Sequence, residues 1–355
     1  MPTPANIRET LICFGKVKQT DLQTINQAAD CIRLGKLNAA LAEAALLTED
    51  DAQEIGKGHE WPIANYKTAW NAAGSMEKYL SSQFAAWAFA FGLGNAAMTQ
   101  PEAGAYRHTC TPQDPAGTAG IELPAFTFVE QIRPGANVIL NRALVGNVIQ
   151  DLSIAIGTGP GRANARLTVN FAGCGKLTEP SGITMPSATT EHLLNAASAT
   201  CTINGVDYVT AKNLVSLEFA FANNLRLDQG YYPGSGFQDA GDPASGQLRG
   251  RIEFGDRAAT LRFVARFVNG SAELTKLKAQ TEGTAAFTLT GATIVGATKH
   301  DISVTFHRVV FATAVVGEAD GIVTVSVECR ALWHASNGLL TAYATTNIDK
   351  FGAEP

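Results

Sequence analysis

Apolar and polar residues alternate with a period of two along most of the second half of the chain. In residues 214–223, Val215, Leu217, Phe219 and Phe221 alternate with Ser216, Glu218, Ala220 and Ala222, so one face of an extended segment is apolar and the other small or polar. Leu261, Phe263, Ala265 and Phe267 do the same against Arg262, Val264 and Arg266. So do Ile302, Val304, Phe306, Arg308 and Val310 against Asp301, Ser303, Thr305 and His307, and Val323, Val325, Val327 and Cys329 against Thr324, Ser326, Glu328 and Arg330. One-faced patterns of this kind predict antiparallel strands. Runs at 126–132, 148–156, 166–171 and 201–203 bring the total to about a dozen, parted by Gly- and Asn-rich turns, of which Asn204-Gly205 is a two-residue hairpin signal.

Helical periodicity is confined to a few places. Met76, Leu80, Phe84, Trp87 and Phe91 recur at three- and four-residue steps, which predicts one amphipathic helix over 71–91, capped by Asn71 or Ser75 and stopped at Gly92 and Gly94. Residues 21–47 are rich in Ala and Leu and read as partly helical by propensity. Residues 271–280 read as a short capped helix and 191–197 as a weaker one. The longest apolar run, 84–93, falls well short of the ~18–20 residues of a membrane span, so a buried helix is expected there and no membrane insertion.

Composition narrows the class. The 355 residues are 46% hydrophobic and 17% charged, with 34 Gly, 14 Pro and a formal net charge of −5. That balance predicts a folded, mainly β protein, either two domains or one elaborated β domain. It argues against a nucleic-acid binder, which needs surplus Lys and Arg to neutralise phosphates. The polar opening residues lack the pattern of a secretory signal, so the protein is expected to stay in the cytosol. Cys13, Cys31, Cys110, Cys174, Cys201 and Cys329 are scattered without metal-ligand spacing and read as buried thiols of a reducing compartment.

Candidate chemistry is sparse. Glu49, Asp50 and Asp51 read as a solvated turn rather than a metal site, because adjacent residues cannot all point one way. The six His residues are far apart in sequence, and the glycines of 157–161 lack the Lys-Ser/Thr of a phosphate loop. No nucleophile elbow, dinucleotide fingerprint or zinc-protease helix appears. Neither enzymatic activity nor a cofactor or metal is expected. The segment 229–246 holds seven Gly or Pro and no large aliphatic residue, which predicts a long surface loop used for binding or assembly.

Three stretches in order resemble the tail tube proteins of long-tailed bacteriophages and related prophages. The first is 49–94, where EDDAQEIGKGHEW leads through Gly74-Ser75 into SMEKYLSSQFAAWAFAFGLG. The second is 106–175, with YRHTCTPQD, LPAFTFVEQI, ALVGNVIQDLSIAIG and NFAGCGK. The third is NLVSLEFAFANNLRLDQGYYPGSG followed by LRGRIEFGDRAATLRFVARF. The resemblance implies an antiparallel β-sandwich or half-barrel over 49–283 with the flanking helix 71–91, preceded by a partly helical arm, 1–48. Residues 284–355 would complete the sheet or decorate the outside. It further implies a structural virion protein: hexameric rings stacked into a tube that encloses the tape-measure protein and later conducts DNA, meeting a tail terminator and baseplate proteins, assembled in the host bacterial cytoplasm.

In that setting Tyr231, Tyr232 and Phe237 are candidate contact anchors. Arg249, Arg251, Arg262 and Arg266, expected on polar strand faces, are candidates for ion pairs with a neighbouring subunit rather than with DNA. The rival readings are another ring-forming tail protein (terminator, baseplate hub or contractile-system tube) and a carbohydrate-binding or hydrolytic β-sandwich using Tyr231, Tyr232 and Phe237 as a stacking platform.

Overall fold

The alternating segments form strands, and they pair into a large antiparallel system. The computed structural model describes residues 10–27, 30–35, 38–50, 64–116, 120–134, 138–157, 165–179, 185–268 and 271–352. The strands are β1 Thr10–Gly15, β2 Cys31–Ile32, β3 Asn38–Asp50, β4 Ala64–Tyr79, β5 Gly94–Glu102, β6 Ala105–Pro112, β7 Phe126–Ile132, β8 Leu140–Gly157 and β9 Arg166–Gly173. They continue with β10 Leu177–Thr178, β11 Ala199–Ile203, β12 Val206–Asp207, β13 Leu214–Ala222, β14 Ala258–Arg266, β15 Gly283–Val295, β16 Thr298–Ala319, β17 Ile322–Ala331 and β18 Leu340–Thr346. The helices are α1 Ser82–Leu93 and α2 Glu273–Ala279.

One layer runs β3-β4-β9-β8-β13-β14-β17-β16, with every ladder antiparallel. A second runs β12-β11-β15-β16-β18-β6-β5. The long strand β16 belongs to both: residues 301–306 lie between β15 and β18, whereas 309–319 pair with β17. A smaller group, β2-β1-β7-β8-β10, uses the first half of β8. The strand changes partners near Gly146, whose φ of 67° suits only glycine comfortably, and the bulge between Ile149 and Asp151.

Inward-facing residues of the two large layers meet. The ring of Phe219 on β13 lies 6.2 Å from Phe287 on β15 and 5.7 Å from Phe306 on β16. Helix α1 sits inside this construction, touching β5, β6 and β18 on one side and β8 and β9 on the other. All twelve of its residues are buried. A helix apolar all round must be enclosed on every side, so the expected flanking amphipathic helix is instead a central one. Trp87 anchors it: its ring centroid is 4.4 Å from Phe14 and 4.9 Å from Phe126, and its indole N–H donates to the Gly15 carbonyl at 2.9 Å.

Several expectations are corrected by this pairing. The helix foreseen over 71–91 begins only at Ser82; Ser81 is its cap, accepting from the Phe84 amide at 3.3 Å, and Gly94 with φ 91° ends it. Residues 71–79 belong to β4, with Ala72, Met76 and Lys78 turned inward. A four-residue step keeps two side chains on one face of a helix and of a strand alike, so Met76 and Leu80 fit both patterns. The Ala-rich stretch within 21–47 is not helical where described from 38 onward but forms β3, because pairing with β4 outweighs propensity. Glu49 and Asp50 end that strand instead of forming a turn, and Asp51 lies outside the described residues. Residues 191–197 supply only the start of a single 3-10 turn, Ala196–Ser198, whereas 271–280 contain α2, although its first cap is Ala272 without a side-chain bond. Asn204 and Gly205 both take positive φ, 50° and 80°, as a tight two-residue hairpin requires. Residues 158–161 of the glycine cluster lie outside the described residues.

Candidate assembly surface

The outer face of the eight-stranded layer is broad and made of small residues. β4 contributes Ala73 and Ser75, β9 Thr168 and Asn170, β8 Ser153 and Ala155, β13 Ser216 and Ala220, and β17 Ser326. Among the residues whose side chains are described, it carries Glu77, Asp151, Glu218 and Glu328 alongside Arg166, Arg262, Arg266 and Arg330. Several are paired within the chain: Arg166 with Glu77 at 2.5 Å, and Arg262 with Glu328 across β14 and β17 at 3.4 Å. Asp151 accepts from the Asn170 amide at 2.7 Å, and burial nevertheless raises its pKa above the ordinary carboxylate value. Two shallow open depressions lie on this face. One, of about 400 Å³, is bordered by Ala40, Ala73, Ser75, Asp151 and Asn170, and the other, of about 540 Å³, by Ala155, Arg166, Glu218, Arg262 and Ser326.

Among the described residues both margins of the layer are open: β3 pairs with β4 alone, and residues 312–319 of β16 pair with β17 alone. The β16–β17 hairpin runs past the core. Val315 faces outward opposite Ser326 while Val316 faces the other way opposite Val325, and both are exposed, at 63% and 45%. Ile322 and Val323 repeat this at 44% and 50%. Apolar residues on both faces of a ribbon suit a strand buried on both sides, yet among the described residues nothing covers either face. The two margins also have a fixed relative direction. Seven successive antiparallel steps separate β3 from β16, so these edge strands run opposite to one another, and a second copy placed head to tail would continue the antiparallel ladder.

The residues singled out from sequence are placed differently from one another. Arg249 is a correction: expected on a polar strand face, it is 3% exposed in the loop before β14. Its guanidinium donates to the carbonyls of Gly173 at 2.8 Å and Leu227 at 3.0 Å and stacks over the Tyr231 ring at 4.8 Å. Burial draws its pKa below the usual arginine value. Tyr231, in turn, donates from its hydroxyl to the Trp70 carbonyl at 2.5 Å, so it holds the loop to β4 and is half-buried. Arg251 also lies outside any strand; it pairs with Glu253 at 2.5 Å and stands 3.5 Å from Glu122. Arg262 faces outward but has its partner, Glu328, in the same chain. Arg266 is exposed at the end of β14 opposite Thr324. Tyr232 and Phe237 are exposed at 44% and 37%.

The loop 229–246 is accordingly no free ornament. Trp70 donates to the Ser245 carbonyl at 2.6 Å, Gln23 to that of Ser235 at 2.5 Å, and Gln238 to that of Leu177 at 2.6 Å.

The fold also gathers polar groups that sequence spacing kept apart. His192 and His300 stack with centroids 4.1 Å apart, and His300 Nδ1 lies 2.8 Å from the Ser82 hydroxyl. Ser82 and His300 are 0% and 1% exposed, so this Ser–His contact is walled off from solvent. Burial, with the neighbouring His192, lowers the His300 pKa to about 4. Nearby, Lys78 donates to Glu191 at 2.5 Å and to the Gly35 carbonyl at 2.6 Å, and Glu191 also accepts from the Ser81 hydroxyl at 2.7 Å and the Gly35 amide at 2.9 Å. This clasp ties the end of β4 and the start of α1 to the segments around 35 and 191. All six cysteines are buried and unbridged. Among the described residues no cluster of His, Cys, Asp and Glu has the makings of a metal site, and no helix is long and apolar enough to cross a membrane.

No protein-family profile matches the chain, and no curated protein is detectably similar to it.

The open edge at 312–319 was not singled out in the sequence, although a signal is present. Adjacent apolar residues at 314–316 and 322–323 break the alternation that Val325 to Cys329 keep.

Proposed function

We propose that the protein is a tail tube subunit of a long-tailed bacteriophage or prophage. Copies would join head to tail into hexameric rings that stack around a tape-measure protein, contact terminator and baseplate proteins at the ends, and pass DNA through the bore. The observation that carries this reading is the eight-stranded layer with two open, oppositely directed edges, β3 and 312–319 of β16. Exposed edges invite association, and a head-to-tail contact between different patches closes into a ring when the rotation per subunit allows. The six-fold count and the stacking come from the family resemblance. In this reading the outer face of the layer, made of small residues with acids set beside bases, lines the bore. Phosphates meet carboxylates there as well as guanidiniums, so a polyanion passes without being held.

The test is assembly of the purified chain and of two edge-blocked forms. Ala42→Lys/Ala44→Lys puts cations on β3, and Val315→Lys/Val316→Lys puts them on β16, as natural edge strands do to prevent pairing. The unaltered chain should form rings or tubes with a central hole by negative-stain microscopy, and each blocked form should stay a folded monomer. Mixed one to one, the blocked forms each keep one good edge and should stop at a heterodimer. A strictly monomeric unaltered chain at high concentration, or blocked forms that build rings as readily as it does, would overturn the proposal.

A further inference from the structure

β1 and β2 pair with Phe14 opposite Ile32 and Gly15 opposite Cys31. Cys13 therefore lies one diagonal step from Cys31 on the same face, and the two sulfurs hydrogen-bond to each other. Both are buried, at 0% and 6% exposure, in a small cluster with Val129 and Ala143. The shared hydrogen bond divides the pair: it raises the Cys13 pKa, with burial adding to the effect, and lowers that of Cys31 against burial. Cys31 is also the less deeply buried of the two, at 6% exposure against 0%, so it is the thiol that a small oxidant reaches first.

The described residues between the two strands, 16–27 and 30, hold other parts of the fold in place. The Asn26 amide donates to the Thr127 hydroxyl at 2.9 Å, and the Gln19 side chain accepts from the Gly146 amide at 3.0 Å where β8 changes partners. Gln23 holds the Ser235 carbonyl of the Gly- and Pro-rich loop at 2.5 Å. A covalent link between the two strands would restrain these residues and, through Gln23, the 229–246 loop beyond them.

We propose that Cys13 and Cys31 are a modification site, a dithiol that a peroxide converts to an intramolecular disulfide. The Cys31 thiolate attacks one oxygen of hydrogen peroxide, and the O–O bond breaks to give a Cys31 sulfenic acid and hydroxide. The Cys13 sulfur then attacks the Cys31 sulfur; the S–S bond forms, the S–O bond breaks, and the departing hydroxide leaves as water with the Cys13 proton. In sum, two thiols and one peroxide give one disulfide and two waters, the thiols losing the two electrons the peroxide gains. Peroxide is close to water in size, which suits the narrow access at Cys31. This inference is independent of the assembly reading.

The experiment treats the folded, full-length chain with stoichiometric hydrogen peroxide, alkylates the remaining thiols in denaturant and maps tryptic peptides. The expected product joins peptides 9–16 and 19–33, loses two hydrogens, leaves Cys110, Cys174, Cys201 and Cys329 alkylated, and reverts with dithiothreitol. Its thermal midpoint should lie above that of the reduced chain. Cys13→Ser should stop at a Cys31 sulfenic acid that dimedone traps, and Cys31→Ser should leave Cys13 unoxidised. The proposal is overturned if the wild-type map shows Cys31 over-oxidised without the linked peptide, cross-links scattered over the six cysteines, or no reaction at the pair while other thiols are consumed. The wild-type map decides the matter even if a serine variant fails to fold.

Discussion

Replacing Lys78 by Met removes the cation from a carboxylate that stays buried. The Lys78 and Glu191 side chains are 3% and 9% exposed and 2.5 Å apart, a separation at which the gross attraction is about 7 kcal/mol at an effective dielectric of ~20. Desolvation of both groups offsets most of that, so the pair's net worth is small, but breaking it leaves an uncompensated charge. Lys78→Met should therefore destabilise by about 3–5 kcal/mol. Hydrogen bonds from Ser81 and the Gly35 amide still reach Glu191, which favours the lower part of that range. Glu191→Gln should cost less, about 1–3 kcal/mol, because its amide oxygen remains an acceptor and Lys78 keeps the Gly35 carbonyl. The double variant Lys78→Met/Glu191→Gln buries no charge and should recover to within ~2 kcal/mol of the unaltered chain. Urea unfolding followed by tryptophan fluorescence would read all four corners of this cycle. A Lys78→Met chain within ~1 kcal/mol of wild type, or a double variant that loses the sum of the singles, would refute the reasoning.

His300 has its folded pKa lowered to about 4 from an ordinary 6.5, so the unfolded chain binds the proton first and stability falls as pH drops from 6.5 towards 4, by about 3 kcal/mol in all. His300→Gln should remove that share of the acid sensitivity, seen as a smaller difference between urea midpoints at pH 7.5 and pH 4.5; an unchanged difference would count against it. Gly146→Ala should yield insoluble or unfolded protein, because a Cβ there would lie 2.1 Å from the Leu22 carbonyl oxygen. Gly104→Ala, also at positive φ but with nothing within 4 Å, should cost only about 1 kcal/mol by thermal unfolding. Trp87→Phe keeps most of the ring contacts but leaves the Gly15 carbonyl without its donor, and should lose about 1–3 kcal/mol by the same measurement.

Strands whose two faces differ in polarity were legible at once. β7 spans the run 126–132, and β13 and β14 differ from the expected runs by only a few residues, because alternation records which side of a pleat is buried. β3 was not legible: Ala and Leu favour a helix in isolation, and only the neighbouring β4 makes the extended form the better choice. The junction of β4 and α1 was blurred because Met76 and Leu80 satisfy both periods. Arg249 was misplaced for a related reason. A guanidinium among polar residues reads as a surface group, and nothing local reveals that the carbonyls of Gly173 and Leu227 converge on it.

The amino-acid order by itself determined that this is a mainly β protein with an apolar helix ending at a glycine and with buried cysteines, since each of these follows from local periodicity and composition. Only the tertiary structure decided that the helix is central, that Tyr231 and Arg249 fasten a loop, and that two opposed sheet margins stay unpaired among the described residues. Those outcomes depend on which distant strands meet, and hydrogen bonding between strands is settled by the whole set of ladders rather than by any one segment.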